Sequence, residues 1–227
     1  MNNLFSVFDP QTSTSLSLNW VSASAILLLP SSYWVVANKN SSLVKSMIGY
    51  LYKETLNHLS PMPTPGIAQF VLSLFIFILL NNFLGLFPYV FTSSTHLSFT
   101  MSLSLSFWLG YFTLSTFSNV NNFLSHLVPL GTPYVLLPFM VIIELVSSMI
   151  RPLTLCVRLA ANMVAGHLLL CLISTPATSS SAIVAGGILI GLYLLSVLEV
   201  AVSFIQSYVF STLSSLYISE MNYLELN

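Results

Sequence analysis

The stretch YVLLPFMVIIELVSSMIRPLTLCVRLAANMVAGHLLLCLI, Tyr134 to Ile173, contains no cluster of turn-forming residues and is apolar enough to lie in a lipid bilayer. Read as one continuous helix it is about 60 Å long at 1.5 Å per residue, twice the roughly 30 Å of bilayer hydrocarbon. Such a helix cannot stand upright, so it lies obliquely or bends near Pro152. After the polar break STPATSSS, residues 182–219 repeat the pattern with a helix of about 57 Å. A second reading stays open at this level: two upright spans in each segment, with a turn near Ser147 to Pro152.

Within that apolar setting the stretch carries Glu144, Arg151, Arg158, Asn162 and His167. One arginine at the centre of a membrane helix costs about 2.5 to 3.5 kcal/mol on insertion scales, so each ionisable residue here calls for a function or a partner. Seven residues of helix advance by about 700°, leaving only about 20° between positions seven apart. Glu144, Arg151 and Arg158 therefore share one face, and Asn162, four beyond Arg158, joins it. His167, nine beyond Arg158, points to the opposite side. In the following segment Glu199, Ser203 and Gln206 fall at i, i+4 and i+7 and form a polar stripe. If the two long helices pack antiparallel about STPATSSS, Glu199 approaches His167 and Gln206 approaches Arg158, provided the helices are staggered or tilted.

These residue types restrict the chemistry. An arginine keeps its proton at any working pH and acts as a fixed positive charge, able to attract and release a mobile carboxylate. Histidine and glutamate exchange protons and are the relay candidates. Structural explanations stand beside these. Arg151 can snorkel to headgroups or bond to Glu144, and His167 can be a satisfied core histidine. Arg158 has no acid at i±3 or i±4, and Glu199 has no basic residue in its own helix, so both are harder to explain as inert. Asn81 and Asn82 read as hydrogen-bond glue between helices, and Gly187 with Gly191 as a close-packing GxxxG. His58, His96 and His126 are assigned no role. There is neither a Ser/His/Asp arrangement nor a glycine-rich phosphate loop, which argues against covalent catalysis in this chain.

Composition agrees with a membrane setting. The 227 residues are 56% hydrophobic and only 5% charged, with a mean hydropathy of +0.89, against about 25% charged residues in soluble domains. A net charge of -1 leaves no basic patch for nucleic acid. Cys156 and Cys171 lack metal-site or disulfide-framework spacing and read as small membrane hydrophobes, so neither a metal nor a cofactor is expected. The first twenty residues lack a basic segment followed by an apolar core, and no cleavable targeting peptide is expected.

The expected fold is an all-α integral membrane protein forming a single membrane domain over residues 1–227. It has about five membrane helices plus one surface amphipathic helix, the last two membrane helices being long and strongly tilted. A first span covers about 20–37, interrupted by Pro30. Residues 40–57 mix Lys45, Lys53 and Glu54 with Leu43, Val44, Met47 and Tyr50, as an amphipathic helix on the membrane surface does. With Lys39 they hold three of the five basic residues, which places this loop on the cytoplasmic or matrix side and the N-terminus opposite. A hairpin over about 67–117 follows the breaker PMPTPG, its spans at about Ile67 to Tyr89 and Leu97 to Phe117 joined by a short FTSSTH turn. NVNNFLSHLVPLGTPY then forms a loop before the long helices at about 134–173 and 182–219.

The stretch IIELVSSMIRPLTLCVRLAANMVAGHLLL, with LEVAVSFIQSYVFSTLSSLY after it, resembles subunit a of F-type ATP synthases in its mitochondrial form, the ATPase subunit 6 family. NNFLGLFPYVFT and the opening NNLFSVFDP resemble the same family, so the likeness covers essentially the whole chain. It implies a multi-pass subunit of the mitochondrial inner membrane. That subunit is a non-catalytic stator that makes no ATP and passes protons through two half-channels to and from the carboxylates of a rotating c-ring. The other implied partners are the peripheral stalk, further membrane-sector subunits and lipid. By the same resemblance Arg158 is the essential charge between the half-channels, with Asn162 and Gln206 as polar neighbours, joined on these two faces by Ser203 and Arg151. His167 and Glu199 are the relay pair on the intermembrane-space side, and Glu144 is the acid of the matrix exit. A rotor-free proton-coupled transporter or respiratory-complex membrane subunit is the alternative. It favours inverted repeats, and the sequence has none.

Overall fold

The computed structural model describes residues 4–12, 16–28, 39–59, 65–118, 120, 128, 133, 136–178 and 181–226. Among these the chain is helical and contains no strand. Two 3-10 helices open it, Leu4–Phe8 and Leu18–Leu28. The α-helices are α1 (Lys39–His58), α2 (Pro65–Gly85), α3 (Leu97–Ser118), α4 (Leu137–Ser174) and α5 (Ala182–Leu226).

Within the described residues four helical stretches are long and apolar enough to cross a membrane: Gly66–Gly85, Leu97–Leu114, Leu137–Ala177 and Ile183–Ser219. The protein is a multi-pass membrane protein. The expected first span is described only to Leu28, where it is a 3-10 helix; residues 29–38 lie outside the described set, as does most of the loop from 119 to 134.

Local chemistry explains the boundaries. A helix, α1, stands where the surface helix is expected, with Leu43, Val44, Met47 and Tyr50 exposed. α2 begins on Pro65, whose fixed φ and missing N–H suit the first helical position. It stops at Gly85, earlier than the Tyr89 expected from hydrophobicity. Thr92 folds back so closely that a Cβ at position 85 falls 2.5 Å from its Cγ2, which only glycine avoids. Tyr89 takes the left-handed backbone conformation, φ 67°, in the reversal. The expected FTSSTH turn is a buried 3-10 turn, Ser93–Thr95, closed by the Thr95 hydroxyl donating to the Thr92 carbonyl at 2.7 Å.

α4 runs unbroken through Pro152, so the two-span reading of this segment does not hold. Pro152 has no N–H for the Ser148 carbonyl. In the turn before it, the Ser147 and Ser148 hydroxyls donate to the carbonyls of Glu144 and Leu145, each at 2.8 Å. At 1.5 Å per residue α4 is about 57 Å long and α5 about 67 Å. Both exceed the roughly 30 Å of bilayer hydrocarbon. α5 continues past Ser219 because neither glycine nor proline interrupts it before Leu226. In lipid a serine hydroxyl needs a partner, and those of α5 find one within the helix. Ser203, Ser207, Ser214 and Ser219 each donate to the carbonyl three residues back, at 2.7 to 2.8 Å.

The chain divides into two compact units, each drawn from separate segments. The first comprises Met1–Val35, Leu74–Thr100 and Arg158–Val209, the second Val36–Ser73, Met101–Val157 and Phe210–Asn227. The second unit has an apolar centre of Leu59, Ala68, Val71 and Ile218, against which Tyr52, Leu56, Phe107 and Tyr111 pack. Phe70 and Phe107 stack there with ring planes 4° apart. The first unit carries most of the candidate site.

Candidate functional site

The α4 half of the first unit buries a narrow stripe, of which Leu159, Ala160 and Met163 are part. Arg158 lies off that stripe and is exposed, while Asn162, one turn on, is half-buried. The rotation that separates Arg158 from His167 in the sequence is therefore visible as a difference in environment. His167 is half-buried with Nε2 covered and unbonded among the described residues, and its ring meets Phe8 edge-on at 6.4 Å.

Glu199 on α5 is 8% exposed, and neither carboxyl oxygen has a hydrogen-bond partner among the described residues. Its seat is Gly166, the residue before His167: a Cβ there falls 2.6 Å from Oε1 and 3.0 Å from Cδ. α4 and α5 thus meet where the sequence reading brings Glu199 towards His167, but through the glycine. Among the described residues the two titratable side chains are not hydrogen-bonded to each other; each keeps buried polar atoms unbonded. Four residues beyond Glu199, Ser203 is buried with its hydroxyl donating to the Val200 carbonyl at 2.7 Å, and Gln206 is half-buried.

Glu144 and Arg151 belong to the second unit, and both are half-buried. The Arg151 guanidinium lies over the Tyr217 ring, 5.3 Å from its centroid, a cation–π contact the sequence reading did not foresee.

The structure revises two further expectations. Asn81 bonds back onto its own helix, to the Phe77 carbonyl at 3.1 Å, and Asn82 is fully buried with neither amide atom bonded, so they are not hydrogen-bond glue among the described residues. Among the described residues a Cβ at Gly187 or Gly191 meets nothing within 4 Å, so this GxxxG does not pack closely against them. Cys156 and Cys171 form no disulfide among the described residues.

Sequence reasoning missed three contributors. Gly166 had a usable signal, since a glycine inside a helix costs about 1 kcal/mol relative to alanine and so marks a close approach. Phe8 and its contact with His167 had none, because the two lie far apart in the chain. His96, left without a role, lies between Trp20 at 5.0 Å and Phe91 at 5.2 Å with its Nε2 buried and unbonded among the described residues.

Fold and site together define a polytopic helical membrane protein that holds a carboxyl, an imidazole and an unburied arginine on two over-long helices. The chain belongs to the ATP synthase A chain family, whose model matches residues 3–219. It is 48% identical to ATP synthase subunit a of Drosophila yakuba over 223 residues, covering 98% of this chain and 100% of the relative. With the Aedes aegypti protein of the same name it shares 48% over 225 residues, again 98% and 100% of the two chains. The Locusta migratoria protein is 46% identical over 223 residues, 97% of this chain and 99% of the relative.

Proposed function

We propose that this chain is the proton-conducting stator subunit of the ATP synthase membrane sector, in the mitochondrial inner membrane. In this reading Arg158 faces the carboxylates of a rotating c-ring, and the chain also contacts the peripheral stalk and the other membrane-sector subunits. The observation that supports it best is the contrast inside the first unit between an exposed Arg158 and a buried Glu199 carboxyl seated on Gly166 beside His167.

Each residue then has a task its chemistry permits. Arg158, permanently charged, draws a ring carboxylate into its ionised form and blocks direct proton passage between two half-channels. Asn162, Ser203 and Gln206 supply polar contacts along the two helices. Glu199 and His167 pass protons from the intermembrane space to the ring. Glu144 receives them on the matrix side, with Arg151 held nearby in the chain by Tyr217. The surface helix α1 lies on that matrix face, following its lysines. Each elementary charge that crosses brings about 2.3 kcal/mol per 100 mV, and a ring carboxylate that is neutralised from only one channel gives the rotation a direction.

Replacing Arg158 by alanine in the assembled complex tests this. ATP-driven proton pumping is expected to vanish while the complex still assembles; normal coupled pumping by the Arg158→Ala complex contradicts the proposal.

A further inference from the structure

Beside Glu199 lies a cleft of about 290 Å³, walled by Phe83, Leu86, Phe87, Leu170 and Val197. Phe83 and Phe87 meet edge to face at 5.7 Å, and Phe204 braces Phe83 at 6.4 Å. Only two lining residues are polar, Ser196 and Glu199. The Ser196 hydroxyl donates to the Tyr193 carbonyl at 2.8 Å. Both Glu199 oxygens, by contrast, are unbonded among the described residues, in a side chain 8% exposed.

We propose that this cleft is a binding site for lipophilic amines, small membrane-soluble molecules with a cationic nitrogen on an aromatic or branched aliphatic body. The ammonium supplies the donors that the Glu199 oxygens lack, and such a charge-assisted bond is strongest where solvent is excluded. The ring faces of Phe83 and Phe87 add cation–π attraction, and the aliphatic walls take the body of the molecule. The volume lies at the lower limit of ligand sites, roughly 300 Å³, and selects small ligands. Among the described residues no lysine, arginine or histidine lines the cleft, so a phosphate-bearing molecule, including a zwitterionic phospholipid headgroup, meets no counter-charge from them. Binding follows from the cleft alone. Its consequence, blockage of proton transfer at Glu199, rests on the proposed function.

The test uses the intact complex in phosphatidylcholine vesicles and a phenylalkylamine bearing a diazirine, compared with its uncharged N-acetyl derivative. The amine is expected to label residues 83–87 and 196–200 about tenfold more strongly than the derivative, a difference of roughly 1.4 kcal/mol. Glu199→Gln removes that preference, and Val197→Trp, which fills the cleft and leaves Glu199 in place, removes the labelling. Equal labelling by both probes overturns the proposal, as does full labelling of an assembled Val197→Trp complex. Should that variant fail to assemble, competition in the native complex decides: excess unreactive amine must abolish labelling, and its persistence overturns the site. Adding phosphatidylethanolamine is expected to change nothing; loss of labelling would assign the cleft to a lipid headgroup and overturn the small-amine reading. Labelling with undisturbed proton pumping would support the cleft and count against the role given to Glu199, so the two readings fail separately.

Discussion

In the second unit the buried centre is Leu59, Ala68, Val71 and Ile218, and three of the four buried serines of its α5 segment, Ser214, Ser215 and Ser219, close their hydroxyls onto their own helix. In the first unit the buried side chains include Asn82, Ser94, the ring nitrogens of His96 and His167, and Glu199, all with polar atoms unbonded among the described residues. A buried polar atom left unbonded costs about 1 to 3 kcal/mol, and more for a charged group. Most buried polar atoms left unbonded among the described residues thus lie in the first unit, the Ser104 hydroxyl being the one in the second. Under the proposed function, that reserve of hydrogen-bonding capacity serves a proton path and the second unit serves to hold the helices.

Substitutions sharpen this contrast, the largest expected effect coming from Gly166→Ala. The added Cβ meets Glu199 Oε1 at 2.6 Å and must displace the carboxyl. Proton pumping per assembled complex should fall on the order of tenfold or more, since small misplacements of reacting groups carry large penalties. The same change at Gly186, where a Cβ meets nothing within 4 Å, should leave pumping near the native rate and favour the helix by about 1 kcal/mol. If both variants pump alike, the seat of Glu199 has no functional weight.

Next comes Ile218→Ala in the second unit. A fully buried isoleucine is truncated, and the cavity should destabilise the complex by on the order of 2 kcal/mol, read as a lower temperature of dissociation. The complexes that survive should couple proton flow to ATP hydrolysis normally; loss of coupling in them would break the separation of roles. The smallest effect is expected at Tyr217. Tyr217→Leu removes the ring beneath Arg151 and should cost about 1 kcal/mol of stability, whereas Tyr217→Phe, which keeps a ring, should cost less than half of that.

What the sequence made legible followed from periodicity and length. The long helices expected over 134–173 and 182–219 are α4, Leu137–Ser174, and α5, Ala182–Leu226, and a helix, Lys39–His58, stands where the surface helix is expected over 40–57. Helical rotation alone separated Arg158 from His167, and the Glu199, Ser203, Gln206 stripe is buried or half-buried as its spacing implies. What stayed hidden depends on contacts distant in the chain, which leave no periodic mark: Phe8 against His167, Trp20 against His96, and Tyr217 under Arg151. The buried Ser93–Thr95 turn was masked by its composition, because a run of serines and threonines reads as an exposed loop until Gly85 is seen to admit Thr92. The end of α2 was misplaced for the same reason: hydrophobicity continues past Gly85 although the helix does not.

The most direct test of the first unit as a proton path is ATP-driven proton pumping by Glu199→Gln, measured per assembled complex beside the native protein. The substitution keeps the shape of the side chain and removes its ability to carry a proton, so assembly should be unchanged and pumping lost. A Glu199→Gln complex that assembles normally and pumps at the native rate would contradict the account.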